Sequence, residues 1–111
     1  MKLLFIFLIT LCSLVVRAQT GEEQLYKQLK QSDKELTEVY NKLKAKLGNS
    51  KDKTALIESQ KAWLKYREAN CKFISREESE GGVIANKMKL DCMIQATKER
   101  ISAINELMPE F

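Results

Sequence analysis

Histidine is absent from all 111 residues of the chain, and this one gap excludes more chemistry than any motif present suggests. Without an imidazole there is no ordinary general base near neutral pH, no Ser–His or Cys–His nucleophile, and no His-containing zinc site. Glycine is scarce, at four residues, and none builds the glycine-rich loop ahead of a helix that phosphate binding requires. The one proline, Pro109, stands near the end of the chain, where it stops the last helix. No segment shows the period-two alternation of a strand. Fifteen acidic residues offer many carboxylate pairs for glycoside hydrolysis. Most of them, however, lie at helical spacing beside a lysine or arginine, as Glu35 beside Lys34 and Glu38 beside Lys42, which is the pattern of a solvated helix face. The expectation is a protein with no catalytic residues, no metal site and no cofactor, and therefore not an enzyme.

The N-terminus reads as an export signal. Lys2 precedes an apolar run of about a dozen residues ending in Val16-Arg17-Ala18, with strongly polar sequence following at once. A membrane-spanning helix needs about 20 apolar residues, so the run reads as a signal peptide, residues 1–18, cleaved after Ala18 and leaving no stable membrane anchor. Cys12 is a poor lipidation site, because bulky Leu11 precedes it and the apolar run continues past it. Cleavage removes Lys2 and Arg17 but no acid, so 19 basic residues become 17 against 15 acidic, and the net charge falls from +4 to +2. No basic block with interleaved aromatics remains to suggest nucleic acid. Residues 19–111 suffice for one domain, periplasmic or secreted, with a core small enough to need a covalent staple. Two cysteines remain, Cys71 and Cys92, and only one pairing is possible.

Three amphipathic helices are predicted, giving an all-α domain. In the first, Leu25, Leu29, Leu36, Val39, Leu43 and Leu47 form one stripe flanked by Tyr26 and Tyr40, ended by Gly48-Asn49-Ser50. The second, from about Asp52 to Ser79, carries Leu56, Gln60, Trp63, Arg67, Cys71 and Ile74. The third, from about Val83 to Met108, carries Ile84, Met88, Cys92, Ile101, Ile104 and Leu107 or Met108. If the last two form an antiparallel hairpin, level residues have numbers with a constant sum, because both helices rise equally per residue. Cys71 and Cys92 set that sum at 163 and place the reversal between Gly81 and Gly82. Leu56 then faces Leu107, Gln60 faces Ala103, Trp63 faces Arg100 and Arg67 faces Ala96, and helix one covers the groove that remains. A bridge closing this 22-residue loop stabilises by about 3 kcal/mol.

Two clusters stand out. Gln60, Trp63 and Arg67, with Thr97 and Arg100 reaching them from helix three, form a polar seam. As structure, Arg100 stacks on Trp63 while Gln60 and Arg67 fix the register; as a site, two arginines beside an aromatic bind an anion if the seam opens to solvent. Glu77, Glu78 and Glu80, beside Gly81 and Gly82, are either a solvated turn or an acidic prong that steers a basic partner.

The pattern Leu36-x-x-x-Tyr40-x-x-Leu43, then Gln60-Lys61-Ala62-Trp63-Leu64-x-Tyr66-Arg67-x-x-x-Cys71, then Gly81-Gly82, Cys92, Thr97-x-x-Arg100 and Leu107, resembles the bacterial LprI-like family over nearly all of the mature chain. Val83 departs from it, since Ser often follows the glycines there. The resemblance implies a secreted or periplasmic helical domain with a Cys–Cys bridge and, through the member that names the family, inhibition of lysozyme by protein binding. A second expectation, from a different class, is an envelope structural or assembly module that uses an exposed helix face, with Tyr26 and Leu29 left uncovered on helix one.

Overall fold

A computed structural model describes the backbone of residues 2–111 and the side chains of residues 21–111. The segment read as a signal peptide, residues 1–18 with Cys12, lies outside the residues described with side chains. The chain forms three α-helices, α1 (Lys2–Leu47), α2 (Lys51–Ile74) and α3 (Gly82–Leu107), followed by a short 3₁₀ turn, Met108–Glu110, around Pro109. The helices run up, down and up. Asn86 Nδ2 donates to Glu22 Oε1 at one end, and Lys46 Nζ donates to the Met108 carbonyl at the other, so α1 and α3 are parallel.

Local sequence sets the ends. Gly48 takes φ 57°, the left-handed stop that a side chain disfavours. Ser50 then accepts the Lys53 N–H at 3.2 Å, and Asp52 in the first turn of α2 complements the helix dipole.

The far end of α2 departs from the sequence reading. Expected to continue to Ser79, the helix stops at Ile74 with Ser75 as its cap. Arg76 turns left-handed at φ 55°. The Arg76 N–H then reaches the Phe73 carbonyl and the Glu77 N–H reaches that of Lys72, the paired bonds of a Schellman stop with arginine where glycine is usual. The reversal therefore occupies residues 75–81. Gly81 and Gly82, at φ 58° and 84°, launch α3 at the end of the turn and do not sit at its centre.

Burial explains the remaining corrections. Leu36, Leu43 and Ile104 are the buried centre of an apolar cluster, with Val39, Tyr40, Leu47, Leu56, Trp63, Ile101 and Met108 packed on it. Of the alternatives at the end of α3, Met108 packs and Leu107 is exposed, so Leu56 joins a cluster that includes Met108 where Leu107 was expected. Ile74, Ile84 and Met88, expected in the core, are exposed. Ser75, Ala85, Leu90 and Ile94 are buried in their place. The physical reason is that α1 packs mainly on α3 and only slightly on α2. The inward face of α3 is thus rotated toward α1, away from the face that a simple α2–α3 hairpin would bury. On α1, Ser32 fills the seven-residue gap between Leu29 and Leu36, completing a stripe of three- and four-residue steps.

Candidate functional site

The disulfide joins Cys71 to Cys92 with their Cα atoms 5.5 Å apart, a normal separation for a bridge. Cys71 is fully buried. The bridge fixes the α2–α3 register, and the polar seam follows from it one to three turns away.

The guanidinium carbon of Arg100 lies 5.8 Å from the Trp63 ring centroid, the stacking predicted from the register. Arg67 stacks on the same ring at 5.2 Å. Gln60 Oε1 accepts from Arg100 Nε at 3.0 Å, and Ser59 Oγ accepts from Arg100 Nη2 at 3.1 Å. Gln60 therefore pairs with Arg100 and not with the level of Ala103. Arg67 Nη1 donates to Thr97 Oγ1 at 2.8 Å, one residue from the expected Ala96, and Thr97 Oγ1 donates in turn to the Met93 carbonyl at 2.7 Å. Thr97 is fully buried and Arg67 nearly so, whereas Trp63 is only half-buried. Burial lowers the Arg100 pKa from its usual value, without threatening its charge near neutrality.

One member of this network was missed in the sequence. Asp33 Oδ1 of α1 accepts from Arg67 Nη1 at 2.6 Å, and among the described residues this is the one side-chain hydrogen bond between α1 and α2. The signal was available. The level-residue argument, applied to the α1–α2 turn at Ser50, pairs Asp33 with Arg67, Leu36 with Leu64 and Tyr40 with Gln60, and these six residues line one groove. Asn41 and Thr37 complete the lining of this space of about 390 Å³. Arg67 Nε is buried beside it with no hydrogen-bond partner.

At the tip, each acidic residue faces a cation of its own chain. Glu77 Oε2 pairs with Lys89 Nζ at 3.2 Å, Glu78 Oε1 with Lys72 Nζ at 3.1 Å and Glu80 Oε1 with Arg76 Nη1 at 3.3 Å. Lys89 also meets Glu68 at 3.0 Å, and this hydrogen bond is the main cause of its raised pKa, opposed by desolvation and aided by Glu77. Phe73, Val83 and Ile84, all strongly exposed, flank the acidic turn on the two helix ends. Among the described residues, no group of His, Cys, Asp and Glu is arranged to hold a metal ion, and no helix is long and apolar enough to cross a membrane.

Fold and seam together define a small, disulfide-stapled helical bundle whose register is fixed by buried arginine contacts. A family profile described as "Lysozyme inhibitor LprI" matches residues 16–104, and the chain belongs to that family. Comparison with curated proteins and with solved structures gave no match.

Proposed function

We propose that this chain is an exported helical domain that binds another protein, and that its partner is a lysozyme, which it inhibits. The family match carries this reading, since the family's description names that role. Residues 1–18 act as the signal peptide and residues 19–111 as the mature domain, delivered to the periplasm or beyond the cell.

The proposed contact surface is the hairpin tip, formed by Glu77, Glu78, Glu80, Gly81 and Gly82. Glu78 and Glu80 are 80% and 64% exposed, so their pairs with Lys72 and Arg76 are weak surface pairs that a cationic partner can displace. Phe73, 81% exposed, and Ile84, 77% exposed, supply the apolar area that a tight contact needs at its centre. Because the acids are already compensated within the chain, the tip has little long-range field, and affinity rests on the short-range fit. A cell-wall turnover assay with several lysozymes, paired with pull-downs, tests the function. Absence of both binding and inhibition at micromolar protein rejects it.

The alternative is an envelope assembly module that self-associates through a helix face. Tyr26 is exposed and Leu29 half-buried, but the Tyr26 hydroxyl is engaged by Asn86 Nδ2 at 3.3 Å. Concentration-dependent light scattering separates the readings, since an inhibitor does not need to oligomerise.

A further inference from the structure

We propose that the groove between α1 and α2 is a binding site for a small monocarboxylate that carries an amide, held by the free edge of the Arg67 guanidinium. This inference rests on the seam geometry and stands independently of what the hairpin tip binds.

A guanidinium presents five N–H donors, and the edge formed by Nε and Nη2 matches the two oxygens of a carboxylate. In Arg67 the opposite nitrogen, Nη1, takes both Asp33 and Thr97. Nε is buried without a partner, and Nη2 makes no hydrogen bond to any described residue. A buried donor without an acceptor is costly and uncommon, so its presence calls for an explanation. The side chain is 90% buried and lines an open groove of about 390 Å³, within the range of small-molecule pockets.

The lining restricts the ligand class. Leu36 and Leu64 form apolar walls, whereas Asn41 and Gln60 offer amides, and Gln60 has spent its carbonyl oxygen on Arg100, leaving its NH₂ to donate. A ligand with one carboxylate, one amide and a short apolar group satisfies all three. Asp33 at the rim, 43% exposed, disfavours a more highly charged anion such as phosphate. Nε has no water-accessible surface, so a ligand oxygen reaches it only when a lining side chain rotates, and Leu64, 43% exposed, is the apolar one least held by packing.

The test titrates N-acetylalanine into the purified protein and follows the arginine Nε–H resonances by NMR. The expected result is a saturable shift of the Arg67 resonance at millimolar ligand, absent with N-acetylalaninamide, which lacks only the carboxylate. Asp33→Asn removes a like charge at the rim of the groove and is expected to tighten binding about tenfold. Arg67→Lys keeps the charge but removes the fork, and is expected to abolish binding. Because that change also disturbs the seam, Thr37→Trp supplies a second variant that fills the groove from an exposed position and is likewise expected to abolish binding. A short peptide with a free C-terminus tells the two carboxylate sources apart: equal affinity supports a site for chain ends, and loss supports a site for small free acids. No Arg67 shift at millimolar ligand, an equal shift with the amide, or undiminished binding in Thr37→Trp overturns the proposal.

Discussion

Around Leu36, Leu43 and Ile104 the three helices meet through aliphatic side chains, whereas nearer the hairpin tip the buried Ala85, Leu90 and Ile94 share the interior with Ser32, Arg67, Cys71, Ser75 and Thr97. The first region gains stability from apolar area removed from water, which is non-directional and tolerates small changes of register. The second adds to its apolar contacts a covalent bridge and hydrogen bonds whose geometry admits one register only. The contrast teaches where stability and specificity reside: the apolar end holds the helices together, and the polar end decides how they align. It also locates the open groove, since a buried arginine of α2 bonded to Asp33 on α1 and Thr97 on α3 keeps α2 from closing fully on α1.

Removing burial from the apolar end is expected to have the largest effect. Ile104 is 1% exposed, and Ile104→Ala is expected to cost about 3–5 kcal/mol, measured by urea denaturation. A domain of this size has about 5–10 kcal/mol in hand, so the variant should be partly unfolded at 37 °C. A cost under about 1 kcal/mol would mean that the apolar cluster collapses around the change and is less well packed than its burial implies.

Reducing the Cys71–Cys92 bridge acts on the polar end, at an expected loss of about 3 kcal/mol. Helical circular dichroism should persist while the Arg67–Thr97 register loosens, which is visible as faster amide exchange near Thr97. If reduction instead loosens the Leu43–Ile104 end first, the division between the two regions fails.

A smaller effect is expected from Lys89, which links α3 to Glu68 on α2 and to Glu77 in the turn. Its pKa is raised above the ordinary 10.5 in the fold. Its contribution is therefore fully present below about pH 10.5 and is lost as pH rises through the folded pKa. Both carboxylates are substantially exposed, so the contribution is held to about 1 kcal/mol. Lys89→Gln is expected to lower stability by that amount at pH 7 and by progressively less above pH 10.5. A difference from wild type that does not shrink at high pH would assign the effect to packing.

Most of the fold was legible in the sequence because it depended on local signals: the stripe on α1, the stop at Gly48 and a cysteine pair with only one possible pairing. The Trp63–Arg100 stacking was legible because the bridge sets its register. Two features were not, and a third was legible but passed over. The burial of Ser32 and Ser75 follows from their positions in stripes that polar residues interrupt, so hydropathy alone passes over them. The exposure of Ile84 and Met88 depends on which neighbour α3 prefers, a tertiary choice that no spacing within α3 encodes. Asp33 was one acid among fifteen until the α1–α2 turn was used to level it with Arg67.

The smallest expected effect concerns Arg76, which ends α2 in a left-handed conformation, φ 55°, that costs a side-chain-bearing residue about 1–2 kcal/mol. Arg76→Gly relieves that strain, but it also loosens the unfolded chain by about 0.5–1 kcal/mol and removes the exposed pair with Glu80. These terms nearly cancel, so the glycine variant is expected to lie within about 0.5 kcal/mol of wild type. Arg76→Ala loses the same ion pair without relieving the strain, and is expected to fall about 1 kcal/mol below the glycine variant. The two variants differ only in backbone freedom at the helix stop, so their difference in urea midpoint isolates the Schellman turn from the charges around it. If alanine and glycine prove equally stable, the turn at 76 is set by the charges of Lys72, Glu78 and Glu80, and the polar end of the bundle would then owe its shape at the tip to ion pairs and not to backbone geometry.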